Sequence, residues 1–160
     1  MVATASLASA TTARAQSTGT AKPPVEACLD KAAEMDAQAK YDEVADGYLC
    51  AAEESAKLPS GEGRAARFRG LSYLARAWAV YTRGVTRTLG RANLDEALRQ
   101  IDLALPFLSR PDGLPGFDRL AEGWRLYLLG VKAGLAGKHA ESRERFEKAR
   151  SIAMEVATYY

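Results

Sequence analysis

The chain has 160 residues and a formal net charge of +2, enough length for one cored domain and too little charge to imply a nucleic-acid or membrane partner by itself. It contains no uninterrupted apolar run of about 18 residues, so no membrane-spanning helix is expected.

In chain order, residues 1–24 come first, built mainly from Ala, Ser and Thr. They carry neither a helical nor a strand period and are read as a disordered, signal or linker segment. Ala13-Arg14-Ala15 has the small-x-small form of a signal-peptidase site, which predicts export to the periplasm or beyond with cleavage after Ala15. The segment lacks a basic n-region, so a cytoplasmic chain with an accidental match is the alternative.

From Val25 onward apolar residues recur at intervals of three and four, and strict alternation is missing, which predicts an all-α domain over residues 25–160. Six helices follow from the breaks. The first runs from Val25 to Ala39. The second spans Asp42 to Lys57 and is ended by Pro59 and Gly61. The third, Arg64 to Leu89, is the longest and stops at Gly90. Asn93 and Glu96 have capping-box spacing and predict the start of the fourth helix, with Pro106 kinking or ending it. Ser109 to Asp118 concentrates prolines and glycines and reads as the main loop. The fifth helix reaches Ala136, Gly137 serves as its C-cap, and the sixth runs from Lys138 to Thr158.

Six helices with short connections predict three antiparallel hairpins. Aligned on their second helices, the hairpins repeat small residues with a bulky one between them. The last offers Ser142, Phe146 and Ala149 after Leu129, Gly130 and Gly137. The first offers Tyr41, Val44, Tyr48 and Ala51 with Ala32, and the middle offers Leu94, Ala97, Ile101 and Ala104. This pattern resembles the tetratricopeptide repeat, in which small residues admit a close partner helix and a bulky residue fills the gap. Val44, Ala97 and Ser142 are spaced more widely than the family's period of about 34 residues, so the repeats are elongated and degenerate. The resemblance implies a short right-handed solenoid and a non-enzymatic protein-interaction or assembly role. The alternative is a self-associating helical bundle without a groove.

Charge is unevenly distributed. Seven arginines and no acidic residue lie between Arg64 and Arg91, whereas nine acidic residues lie between Glu26 and Glu54. On a helical wheel Arg69, Arg76, Arg83 and Arg87 fall within about 40° of one another, opposite Leu71, Leu74, Trp78, Tyr81, Val85 and Leu89. The apolar side reads as core. The first helix of each tetratricopeptide hairpin lines that family's concave groove, so the resemblance implies a groove holding an acidic or extended peptide. Arg69, Arg76, Arg83 and Arg87 would supply guanidinium forks, with Tyr73 and Val80 adding apolar contact. Three competing arrangements have these arginines solvated, facing the acidic first hairpin, or pairing with a second copy.

Cys28 and Cys50 sit at similar heights on facing helices, within reach of a disulfide. Their angular phase leaves a pair of buried thiols open as the other reading. One histidine, His139, stands at a turn, and no catalytic or metal-ligand spacing accompanies it. The sequence therefore predicts neither an enzyme nor a cofactor. Nucleic acid is disfavoured by the near-neutral total. Trp124, Tyr127, Tyr159 and Tyr160 would suit contact with a second copy.

Overall fold

The computed structural model describes residues 22–87, 90–111 and 116–158. Among them are six helices and no strand: α1 Pro24–Ala37, α2 Tyr41–Ala56, α3 Glu62–Arg87, α4 Arg91–Leu108, α5 Phe117–Leu135 and α6 His139–Ala157. The signal-site residues Ala13 to Ala15 lie outside the described residues, as do Leu89, Tyr159 and Tyr160. No helix among the described residues is long and apolar enough to cross a membrane.

Two predicted signals work differently from expectation. The helix α4 begins at Arg91 on an N-cap Gly90 that makes no side-chain bond, so Asn93 is already inside the helix. Glu96 turns its carboxylate forward, accepting from Arg99 Nη2 and Gln100 Nε2, both at 2.7 Å, in place of the backward capping bond. Pro106 lies within α4 without ending it; the helix continues to Leu108 and closes with Ser109 N–H donating to the Leu105 carbonyl.

Extensive helix contacts follow chain order, each helix packing on its predecessor and successor. Cross-helix contacts show each neighbouring pair to be antiparallel. Along α1 and α2, Cys28 meets Cys50 and Ala32 meets Gly47; along α2 and α3, Ala45 meets Ser72 and Asp42 meets Arg83. Along α3 and α4, Gly70 meets Leu108 and Tyr73 meets Phe107. Along α4 and α5, Asp95 meets Lys132 and Asp102 meets Arg125; along α5 and α6, Gly123 meets Ile152 and the Gly130 carbonyl accepts from Ser142 Oγ. The main core forms around α4, where Leu94, Ala97, Ile101, Ala104 and Leu108 are buried together with Ala77, Ala121 and Leu128. Apolar burial of this kind is the main stabilising contribution for helices too short to be stable alone.

A smaller cluster, Val25, Cys28 and Ala51 with Leu29 and Phe68 against it, attaches α1. Here the two cysteines are joined: Cys28 and Cys50 form a disulfide with their Cα atoms 5.8 Å apart. Of the two readings open in the sequence, the bridge is the one the fold contains.

The turns of the first and last hairpins match residue for residue. In α1 to α2, Lys40 N–H donates to Met35 O and Ala39 N–H to Asp36 O; in α5 to α6, Lys138 N–H donates to Ala133 O and Gly137 N–H to Gly134 O. Both are Schellman closures, which need one residue in the left-handed region. Ala39 has φ 55° and Gly137 has φ 75°. The following lysines lie at φ −94°, ψ 70° and φ −86°, ψ 66°, so the chain enters both second helices at the same angle.

Candidate functional site

The long helix α3 has three different sides. Towards α2, Ser72 bonds Ala45, Arg76 lies 3.6 Å from Asp46, and Arg83 pairs with Asp42. Towards α4, Gly70 is pressed against Leu108 and the Tyr73 ring stacks on Phe107 at 5.9 Å. The third side turns Leu71, Leu74, Ala75 and Trp78 towards α2 and α5 and Tyr81 towards Tyr127 of α5, and Trp78 also faces a space bordered by α6.

This partition places each residue of the arginine row. Arg69 is exposed, while Arg76 and Arg83 meet carboxylates of the first hairpin, one of the arrangements weighed from the sequence. Tyr73 is engaged by α4, and Val80 packs against the core around that helix. Arg87 closes α3, and its side chain lies outside the described residues. Of the five described side chains, Arg76 and Arg83 turn to α2 while Tyr73 and Val80 turn to the core around α4. The structure opens two clefts on the opposite side of α3.

The larger cleft, about 610 Å³, lies between α3, α5 and α6, with Trp78, Trp124, Tyr127, Phe146 and Ile152 among its walls. The second, about 520 Å³, is bounded by α2, α3 and the start of α5, and Asp36 stands at its edge. Trp78, Leu120 and Trp124 belong to both, so the clefts meet at the paired indoles.

The rings form a connected set. Trp78 meets Tyr41 edge-on at 6.0 Å and Trp124 at 4.3 Å. Tyr81 meets Tyr127 at 6.0 Å, and Tyr127 meets Phe146 at 5.5 Å. Edge-to-face contacts at these separations are favourable because the positive ring edge meets the negative face. Trp78 and Tyr81 on α3 therefore pair with Trp124 and Tyr127 on α5 in the same order, so α3 and α5 run parallel, side by side. The Tyr81 and Tyr127 hydroxyls lie 3.0 Å apart. Burial, then that hydrogen bond and the neighbouring phenol, push the Tyr81 pKa up to about 12.

Phe146 reaches the cleft because α5 gives it room. A Cβ on Gly130 would stand 2.8 Å from the Phe146 ring, and one on Gly123 would stand 3.1 Å from Ile152. Two wall residues of the cleft are thus seated over glycines of α5, and Phe146 remains 38 % exposed and Tyr127 41 %. Such rings offer apolar contact area to an incoming group, since exposed aromatic surface in a concave site is where binding energy concentrates.

The rim is charged. Arg150 lines the large cleft, and Arg143, His139 and Glu147 join Phe146 and Arg150 around an adjoining depression of about 420 Å³. Among the described residues no His, Cys, Asp and Glu side chains cluster as a metal ion would require.

Sequence reasoning assigned Trp78 to the interior and Phe146 to gap filling. The signal that finds the cleft is a repeated Trp-x-x-Tyr, Trp78 to Tyr81 and Trp124 to Tyr127. At helical spacing it places a second aromatic beside each indole. Trp124 and Tyr127 face α3 within the chain. In comparisons with protein-family models, curated proteins and solved structures, none matches this chain.

Proposed function

We propose that this chain is a non-enzymatic interaction module of tetratricopeptide type, which binds an apolar segment of a partner polypeptide in the aromatic cleft between α3, α5 and α6. Supporting the repeat reading are the matched turns of the first and last hairpins and the side-by-side pairing of α3 with α5. Together they suit hairpins stacked by a regular operation rather than helices closed into a bundle. The arginine row of α3 is not the binding surface in this reading, because Arg76 and Arg83 are met by carboxylates of α2 and Tyr73 is engaged by α4.

One observation carries the proposal: four aromatic side chains from three helices converge on a cleft of about 610 Å³ that the described residues leave open. A volume of this size accommodates several apolar side chains. The disulfide is compatible with an oxidising compartment, where such bridges persist. The reading therefore includes export of the chain.

The test is selection of binding sequences from a displayed random-peptide library, followed by measurement with the Ala153→Arg variant. Ala153 lines the cleft and is exposed, so arginine there obstructs the site without entering the core. Selected peptides rich in apolar residues should lose binding to the variant while its helical circular dichroism is unchanged. Peptides that bind both proteins equally would place recognition elsewhere. Concentration-dependent sedimentation abolished by Ala153→Arg would instead identify a second copy as the occupant.

A further inference from the structure

Resting on the cleft reading above, we propose that the partner segment is an acidic amphipathic peptide whose carboxylates are read by Arg143 and Arg150 on α6. Burial of α6 is confined to Ser142, Ala149, Ile152 and Val156, so most of the helix faces solvent. Its charges are largely satisfied locally: Arg145 pairs with Glu141 at 2.8 Å and Lys148 with Glu144 at 2.7 Å. Arg143 and Arg150 differ. Both border Phe146, Arg150 also lines the large cleft, and among the described residues neither makes an ion pair. Seven residues apart on one helix, they project on the same side two turns from each other. Glu147 shares the rim, which with two arginines keeps an excess of positive charge.

The clefts also have opposite electrostatic ends. Asp36 borders the α2 side, and its negative charge, after burial, helps to raise the Tyr48 pKa. Between that end and Arg150 the lining is mainly apolar and passes the Trp78–Trp124 pair. An apolar site with acid at one end and guanidinium at the other complements a segment longer than a single-headed amphiphile. Guanidinium is suited to the carboxylate end because its planar donors match two carboxylate oxygens.

The inference is tested with three synthetic, tryptophan-free helical peptides of about 14 residues, roughly 21 Å when helical. They share one Leu/Ala face and carry Glu, Gln or Lys at the flanking positions of one end only, the end meant for Asp36 being the same in all three. Binding is followed by the fluorescence of Trp78 and Trp124. The Glu peptide should bind roughly fivefold tighter than the Lys peptide at low salt, in keeping with exposed ion pairs. The preference should narrow as salt is raised. In the Arg143→Gln/Arg150→Gln double variant the ratio of Glu-peptide to Lys-peptide affinity should fall to about one.

Equal binding of all three peptides to the wild type would overturn the charge reading and leave the cleft reading standing. So would a Glu preference that survives the double variant. Absence of binding by any of the three up to about millimolar concentration would overturn both. An arginine-dependent response to laurate without one to the Glu peptide would overturn the proposal in favour of an anionic lipid.

Discussion

The first and last hairpins share one turn and differ in what holds their helices together. In the last, α5 supplies glycines at the contact, and α6 sinks Phe146 and Ile152 over them. In the first, Gly47 of α2 faces the backbone and methyl group of Ala32, and a covalent bridge joins Cys28 to Cys50. The last hairpin therefore gains wall residues for a cleft, whereas the first gains attachment. A single turn geometry accommodates both because it fixes only the entry angle of the second helix, leaving the contact to the side chains.

The largest break in this comparison should come from the disulfide. Its cysteines are separated by 22 positions, and a loop of that length corresponds to about 3 kcal/mol of lost stability on reduction or in the Cys28→Ser/Cys50→Ser variant. Chemical unfolding with and without reductant measures the loss. Amide exchange should rise first in α1 and least in α5 and α6.

Next, Gly47→Ala should cost about 2–3 kcal/mol, because the new methyl would stand 2.7 Å from the Ala32 Cβ and 3.0 Å from its Cα, and backbone cannot yield. Gly130→Ala should cost nearer 1 kcal/mol, since the Phe146 ring can swing towards the open cleft. Thermal melts of the two variants rank them, and Gly130→Ala should also alter the fluorescence of Trp124 through the displaced ring. Equal losses would show that the last hairpin is as tightly closed as the first.

The turns give a smaller, mirrored pair. Ala39→Gly should stabilise by about 1 kcal/mol by relieving a left-handed alanine, and Gly137→Ala should destabilise by a similar amount. If both changes act in the same direction, the turns are not equivalent in energy despite their shared hydrogen bonds.

The smallest effect lies between the hairpins. Hydrogen bonds from Arg99 and Gln100 hold the Glu96 carboxyl down to about 2, below its ordinary value of 4.5. Stability from this group is present above the unfolded value and is lost as pH falls from about 4.5 towards 2. The site is exposed, so the contribution is under about 1 kcal/mol. A pH series of Glu96→Gln against the wild type should show a flatter acid limb for the variant.

Helix number and most boundaries were legible because apolar spacing and breakers such as Pro59 and Gly137 each act on the few residues beside them. The capping of α4 was not, since Glu96 had partners on both sides and Arg99 and Gln100 won. The cleft was harder to read. A helical wheel divides α3 into apolar and charged halves, whereas packing divides it into three sides. Which neighbour takes Tyr73 and Val80, and which side is left to Trp78, is decided by residues such as Leu108 and Asp46 on other helices. Around Trp78 alone the local pattern is that of an enclosed residue; only its repetition as Trp124 to Tyr127 on α5 marks the pair that borders the cleft.

The turned-out face of α6 has a consequence for how such an architecture could be extended. That face carries the exposed Met154 as well as Glu144 and Lys148, which pair with each other, so a further helix packed there would find one large apolar side chain to bury and an ion pair to strip of water. The desolvation cost of that ion pair exceeds what a single buried methionine returns, so the outer side of α6 is better left wet than covered.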